Sequence, residues 1–334
     1  MSLPARCYAI TGASGYIGTR MTRRLLDREP DCHIVAIDIR PPRLTDPRLE
    51  FHQLDVRDQR LAALFTEAGV EAVLHFAFVV DPFYDEQEMT DIDLGGTRNV
   101  LEAVRRAKVP YLLCTSSTTA YGALADNAVP LTESDPVRAT PEFVYAHDKR
   151  LMDEMLADFS ARHPECPVCV VRPCIVLGPT VSNYIAAALL GLPVAALLDG
   201  ADPQMQFIHE DDLVDLLTIC LERRQRGVYN AVGGGTLSAR QLARLQKKRA
   251  IAVPSRLVKA VSWLVWRARL LDFALPPGVV DFFRFPWVAS GEKARRELGF
   301  VPRYSSEDCF RAIQQRKPEV LAAFKAQIKA RGRR

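Results

Sequence analysis

The chain has 334 residues, 48% of them hydrophobic and 25% charged, with 44 Lys and Arg against 40 Asp and Glu for a formal charge of +4. That length buries a large core in one sizeable domain or two interlocked ones, and the composition is ordinary for a soluble globular protein. The weak basic excess comes without a groove of basic residues interleaved with aromatics, which sets nucleic acid aside as a partner; its concentration at Lys325, Lys329, Arg331, Arg333 and Arg334 reads as a solvated tail.

The run Cys7-Tyr-Ala-Ile10 leads into glycines at 12, 15 and 18, and residues 19–26 then carry apolar side chains at helical spacing. This reads as strand, tight turn, helix. Because the strand opens at Cys7, no room is left for a cleavable leader, and the expectation is a cytoplasmic chain. Glycine lets the backbone turn sharply and lets a phosphate approach without meeting a Cβ, while unpaired amides at the helix start supply donors for negative charge. A second apolar run, 33–37, ends in Asp38, twenty residues after Gly18. A dinucleotide fold places there the acid that holds the ribose hydroxyls. The plainer alternative is a helix packed tightly on a strand, with a surface aspartate.

After Asp38, Arg40-Pro-Pro-Arg43 signals a loop and 51–56 a short strand carrying Asp55 near its end. Helical spacing over 61–68 is followed by a continuous apolar strand at 72–76, of the kind found inside parallel sheets. The alternation repeats as a long amphipathic helix at 90–108, a strand at 111–117, a helix at 142–162 and a strand at 168–176. The fold class is therefore α/β, a doubly wound parallel sheet with ligands at the carboxyl ends of its strands.

Two clusters fall at such ends. Thr115-Ser-Ser-Thr-Thr-Ala-Tyr-Gly122 gathers hydroxyls, and Tyr145-Ala-His-Asp-Lys149 spaces a phenol and an ammonium one helical turn apart, on one face. A nearby cation favours the phenolate, so Tyr145 is expected to exchange a proton with an alcohol or ketone near neutral pH. As an isolated pattern the pair would be a surface contact.

The eight cysteines follow no framework and several lie in strand-like runs, so they read as reduced core thiols. Cys166-Pro-Val-Cys169 has redox-motif spacing but precedes a strand rather than a helix, and the six histidines show no metal-ligand spacing. In the last third, 185–198 is apolar but broken by Gly191 and Pro193, and too short to cross a bilayer. Residues 254–273 mix Leu257, Val258, Val261, Trp263, Leu264, Val265, Trp266, Leu270 and Leu271 with Arg256, Lys259, Arg267 and Arg269. Such a helix either covers the substrate as a lid or makes peripheral contact with a membrane interface. Gly233-Gly-Gly235 reads as a turn near the cleft, with a second phosphate site as the alternative.

Taken together, the sequence resembles the extended short-chain dehydrogenase/reductases, the NAD-dependent epimerase/dehydratase family. The matching residues are Thr11-Gly-Ala-Ser-Gly-Tyr-Ile-Gly18, Asp38, Leu54-Asp-Val56, His75-Phe-Ala77, Gly96-Thr-Arg-Asn-Val-Leu-Glu102, Ser116-Ser117, Tyr121-Gly122, Tyr145 to Lys149, Arg172-Pro173, Gly178-Pro179 and Phe207-Ile-His-Glu-Asp-Asp-Leu213, in family order over 7–213. The resemblance implies a Rossmann domain over 1–178, with 205–235 returning to it, and a smaller discontinuous substrate-binding or lid region over 179–334. It implies that Gly12, Ser14, Gly15, Tyr16, Ile17 and Gly18 surround the diphosphate, Asp38 the adenosine ribose, Asp55 and Val56 the adenine, and Phe76 and Ala77 the cofactor's further course. It also implies catalysis by Ser117, Tyr145 and Lys149, with Tyr145 as acid/base and Lys149 on the nicotinamide ribose, and a homodimer through the 90–108 and 142–162 helices. Asp38 points to NAD rather than NADP, with Arg40 the nearby residue that an extra phosphate would use.

The departures bear on substrate. Thr118 and Thr119 stand where sugar-nucleotide dehydratases of the family carry an Asp-Glu pair. Ile175 and Met205 replace the asparagine and arginine with which many sugar-nucleotide epimerases hold the nucleotide diphosphate, and Asp93 stands where the family often has asparagine. The expected function is NAD-dependent hydride transfer at a secondary alcohol or ketone carbon of a small molecule, epimerase-type on a sugar or sugar nucleotide. The alternatives are a dehydrogenase or reductase of an apolar, sterol- or lipid-like alcohol or ketone, and a non-catalytic dinucleotide-sensing module. The last would not need the serine, tyrosine and lysine that this chain keeps.

Overall fold

Apolar side chains that run continuously along each predicted strand can bury both faces of a sheet only if helices cover both. In the computed structural model, which describes residues 6–269 and 275–331, they do. The first half runs β1 (Cys7–Thr11), α1 (Tyr16–Arg28), β2 (His33–Asp38), β3 (Leu49–Gln53), α2 (Leu61–Glu67), β4 (Ala72–His75), α3 (Glu86–Thr90), α4 (Gly96–Arg106), β5 (Leu112–Thr115), α5 (Val144–Arg162) and β6 (Val168–Pro173). The second half adds β7 (Ile175–Leu177), α6 (Tyr184–Gly191), β8 (Ala195–Leu198), β9 (Gln204–Met205), β10 (Phe207–His209), α7 (Glu210–Glu222), β11 (Gly227–Ala231), β12 (Leu237–Ser238), α8 (Ala239–Leu245), β13 (Ala250–Val253), α9 (Ser255–Ala268), α10 (Glu292–Leu298), α11 (Ser306–Gln315) and α12 (Lys317–Arg331).

Seven strands form one sheet in the order β11-β6-β5-β4-β1-β2-β3, every pair parallel. Tyr8, Ile10, Ile34, Ala36, Leu74, Leu113 and Val171 point into one buried cluster, whereas Cys7, Ala9, Val35, Ile37, Val73, Leu112 and Val170 point into the other. This two-residue period is the pleat of a strand buried on both faces. The strand order reverses between β1 and β4, which opens a crevice at their carboxyl ends. Register sets Thr11 level with Ile37 on one side and with His75 on the other. A third apolar cluster gathers Leu177, Leu190, Leu197, Met205, Phe207, Leu242 and Phe310 from the later segments.

Three predicted elements differ in the structure. The 90–108 helix is broken: α3 ends at Thr90, residues Asp91–Gly95 form one wide π turn, and α4 starts at Gly96. Gly96 has to pass close to the loop after β3, since a Cβ there would lie 2.4 Å from Val56 Cγ2. The 168–176 strand ends at Pro173; the Cys174 amide makes a last bond to Ala231 of β11, and β7 then pairs with β10 in a separate two-stranded sheet. The 254–273 helix is α9, and Leu270 and Leu271 lie outside the described residues. All eight cysteines are buried and unpaired.

Candidate active site

The turn after β1 is built by its glycines. Gly12 has φ +70°, a conformation that side chains disfavour, and a Cβ on it would sit 2.6 Å from the Ala77 nitrogen. A Cβ on Gly18 would sit 2.1 Å from the Gly12 carbonyl oxygen, so α1 can lie on the turn only without one. Gly15 is different: apart from the Gly12 carbonyl at 3.0 Å, the space outside it is open. Two glycines therefore serve packing and the third leaves the outer surface of the turn bare, with the first amides of α1 behind it. This is a cradle that fits a diphosphate.

Asp38 ends β2 beside this cradle and is almost fully buried. Its carboxylate accepts from the Ser14 amide at 3.0 Å and the Arg40 amide at 3.0 Å, which fixes both oxygens at the rim. The Arg40 side chain is exposed, with its Nε 3.9 Å from Asp38 Oδ1. Asp55 is held by the Arg57 guanidinium, which together with the Arg57 amide keeps the carboxyl below the usual range. Val56 is buried, and its carbonyl accepts from Asn99 at 2.8 Å.

The side chains of Tyr16 and Ile17 turn away from the cradle. The Tyr16 hydroxyl bonds the buried Glu210 carboxylate, and Ile17 packs on the core. Any part they take in holding a diphosphate falls to their backbone. Glu210 also meets Arg20 at 2.8 Å and Thr180 at 2.7 Å, which ties α1 to α7 and to the chain after β7.

At the end of β4, the His75 ring is fully buried, and burial with the nearby Lys149 charge pushes it down to about 3. Thr97 donates to the Asp93 carbonyl at 2.6 Å, so its oxygen receives the proton of His75 Nε2, leaving His75 Nδ1 to accept from Thr11 at 2.7 Å. The neutral ring clamps β1 and β4 to the π turn. The following amide, Phe76 N, bonds the Thr11 carbonyl at 3.1 Å, which carries Phe76 and Ala77 along the edge of the glycine turn.

Ser117, Tyr145 and Lys149 converge beyond it. Ser117 follows β5 and caps a short 3-10 turn, its Oγ accepting from the Thr119 amide at 3.1 Å. The Ser117 hydroxyl donates to the Pro173 carbonyl at 3.4 Å and stands close enough to the Tyr145 phenol to ease its ionisation. Lys149, one turn along α5, donates to the Thr115 carbonyl at 2.8 Å and stands over the Phe78 ring at 3.4 Å. Burial lowers it to about 8, against the opposing pull of Asp93 and Asp153.

The electrostatics of Tyr145 run opposite to the sequence expectation of a lowered phenol. Burial pushes it up to about 12, Ser117 only partly opposes this, and Asp93 adds to it. Burial is the main cause, and the ammonium, directed at Thr115 and Phe78, is not aimed at the phenol to offset it. Asp93, on the π turn, accepts from the Val79 amide at 2.7 Å through Oδ1, while its buried Oδ2 has no hydrogen-bond partner among the described residues. Burial holds this carboxyl well above its ordinary value.

Several residues of the site had no motif to announce them. The Tyr145 ring meets Phe78 and Phe143, each at 5.7 Å between centroids, and Phe143 meets Phe282 at 5.5 Å. Tyr184 is close enough for its ionisation to be opposed by Tyr145. Phe78 follows Ala77 directly and Phe143 stands two residues before Tyr145, but only the tertiary register aims both rings at one phenol. Ile175 and Met205, the two apolar departures, lie in or against the third cluster, Met205 fully within it. Among the described residues no three His, Cys, Asp or Glu side chains converge as a metal site.

Residues 8–232 match the family described as NAD dependent epimerase/dehydratase. The uncharacterized protein y4nG of Sinorhizobium fredii is 25% identical over 308 residues, covering 89% of this chain and 75% of that one. UDP-glucose 4-epimerase 2 of Arabidopsis thaliana is 27% identical over 352 residues, covering 92% and 94%. Among solved structures, the Bordetella bronchiseptica enzyme WbmG in complex with NAD superposes with a TM-score of 0.73 over 96% of each chain at 18% identity, a likeness of fold.

Proposed function

The chain belongs to the NAD dependent epimerase/dehydratase family, and from that premise we propose that it is an NAD-dependent enzyme acting at a secondary alcohol or ketone carbon, of epimerase type. The observation that carries this reading is the convergence of Ser117, Tyr145 and Lys149 beyond a glycine cradle rimmed by Asp38. In this assignment Gly12, Ser14, Gly15 and Gly18, with the backbone of Tyr16 and Ile17, hold the diphosphate, Asp38 the adenosine ribose, and Asp55 and Val56 the adenine. Phe76 and Ala77 line its course toward Lys149, which takes the second ribose. The nicotinamide, when bound, accepts or supplies a hydride at the substrate carbon.

The chain's own residues handle the proton. Ser117 donates a hydrogen bond to the reacting oxygen, and Tyr145 exchanges the proton with it. A phenol held near 12 is protonated throughout the neutral range, so it is ready to donate to a carbonyl oxygen. Residues 1–178, with 205–235, are assigned to the cofactor half and 179–334 to the substrate half. Two such chains would pair through α4 and α5, in the cytoplasm.

A second reading has its own support. Phe78, Phe143 and Tyr184 stand beside the phenol with Phe282 behind Phe143, and Met205 and Ile175 offer no polar group to a nucleotide diphosphate. These observations favour an apolar alcohol or ketone, turned over by a dehydrogenase or reductase. Purified protein that retains NAD through dialysis supports the epimerase. Protein that exchanges NADH freely and reduces apolar ketones supports the second reading. In either case Tyr145→Phe should cut turnover by about 10²–10⁴-fold while leaving NADH binding unchanged, and undiminished turnover would remove the proposed chemistry.

A further inference from the structure

The outer face of α9 is left without a partner by the packing that fixes the rest of the helix. Its start is tied to Asp199, which accepts from the Ser255 hydroxyl at 2.6 Å, and its middle to Asp281, which receives Lys259 at 2.7 Å. Its end is tied through Trp266, whose ring meets Tyr84 at 4.8 Å. All three ties lie on one side. On the other, Leu257, Val261 and Leu264 are each more than half exposed. At 3.6 residues per turn these three and Ala268 fall within about 60° of one another. Along one flank of that stripe stand Arg256 and Arg267, with Trp263, also more than half exposed, between them along the helix.

The charges carried by the helix itself, Arg256, Lys259 and Arg267, have one sign. From Arg223 to Arg269 the chain carries twelve Lys and Arg and no Asp or Glu. A surface meant only for water would not concentrate leucine, valine and tryptophan on one stripe, and a mixed protein interface has no need to exclude acids over so long a segment. An apolar stripe beside cations and an indole is what a helix presents when it lies in the headgroup layer of a bilayer. No described helix is long and apolar enough to cross a membrane, so contact through α9 would be peripheral.

We propose that α9 docks this protein on an anionic lipid surface, with Leu257, Val261 and Leu264 entering the acyl boundary, Trp263 at the interface, and Arg256 and Arg267 on the headgroups. The proposal stands whether the substrate is a sugar nucleotide or an apolar alcohol.

The test is co-sedimentation of the full chain with vesicles of equal parts phosphatidylcholine and phosphatidylglycerol, against pure phosphatidylcholine. Binding is expected to be at least about ten-fold stronger on the mixed vesicles and to weaken with added salt. Arg256→Gln and Arg267→Gln should each lower partitioning by about five-fold. Leu264→Asp should abolish it with unchanged circular dichroism and NADH binding; because the side chain is exposed, the fold does not depend on it. Wild-type protein that stays in solution with the mixed vesicles, or Leu264→Asp protein that sediments like wild type, overturns the proposal. So does a concentration-dependent dimer that Leu264→Asp dissolves without any vesicle binding, which would give the face to a second copy of this chain.

Discussion

Replacing Asp93 by asparagine tests the buried electrostatics of the site. The carboxyl is 1% exposed, one of its oxygens accepts from Val79 and the other has no partner among the described residues, and burial raises its affinity for a proton. The folded protein therefore keeps this proton to a higher pH than the unfolded chain does. The stability that depends on the neutral carboxyl is fully present below the ordinary value of 3.8 and is lost as pH rises toward the raised value. A buried oxygen left unpaired costs about 1–3 kcal/mol, and each ten-fold gain in proton affinity on folding corresponds to about 1.4 kcal/mol. The asparagine amide would keep the acceptor for Val79 and carry no charge. Thermal unfolding of the two proteins at a series of pH values should show the Asp93→Asn variant gaining steadily on wild type as pH rises from about 4 to about 8. The same variant removes a group that raises the Tyr145 phenol, so the basic limb of the activity profile should move to lower pH. A stability difference that is constant across pH, or a variant that loses ground as pH rises, would refute this reasoning.

Other substitutions probe separate parts of the assembly. Gly18→Ala places a methyl against the Gly12 carbonyl, and denaturant melts should show a loss of about 1–3 kcal/mol with weakened NADH binding. Asp38→Ala should weaken NADH by about 10–100-fold in a fluorescence titration and erase its advantage over NADPH; tighter NADPH binding by wild type would contradict the role given to Asp38. Asp153 accepts from Arg172 at 2.6 Å with both side chains buried, and Arg172 in turn donates to Tyr121 at 2.9 Å. Asp153→Ala strands that guanidinium, and urea unfolding should report a loss of about 3–5 kcal/mol.

Much of the architecture follows from the chain's local chemistry. The two-residue alternation from β1 to β6 already assigns each side chain to one face of the sheet, because a pleated strand has no other way to arrange them. Glycines 12 and 18, which few other residues could replace at so close an approach of helix, strand and turn, locate the crevice together with Gly15 and Asp38. The spacing of Tyr145 and Lys149 puts both on one face of a helix whatever the rest of the chain does. These are short-range constraints, and they survive without knowledge of the fold. What depends on atoms far apart in sequence was decided only by tertiary packing. Nothing local shows that a π turn interrupts 90–108 and leaves Asp93 buried with a bare oxygen, or that Lys149 turns to Thr115 and Phe78 while burial raises the phenol. Nor does spacing tell which side of α9 is tied down by Asp199, Asp281 and Tyr84 and which is left to solvent. Burial and charge act through space, and their sum at one atom is fixed only when distant segments have been brought together.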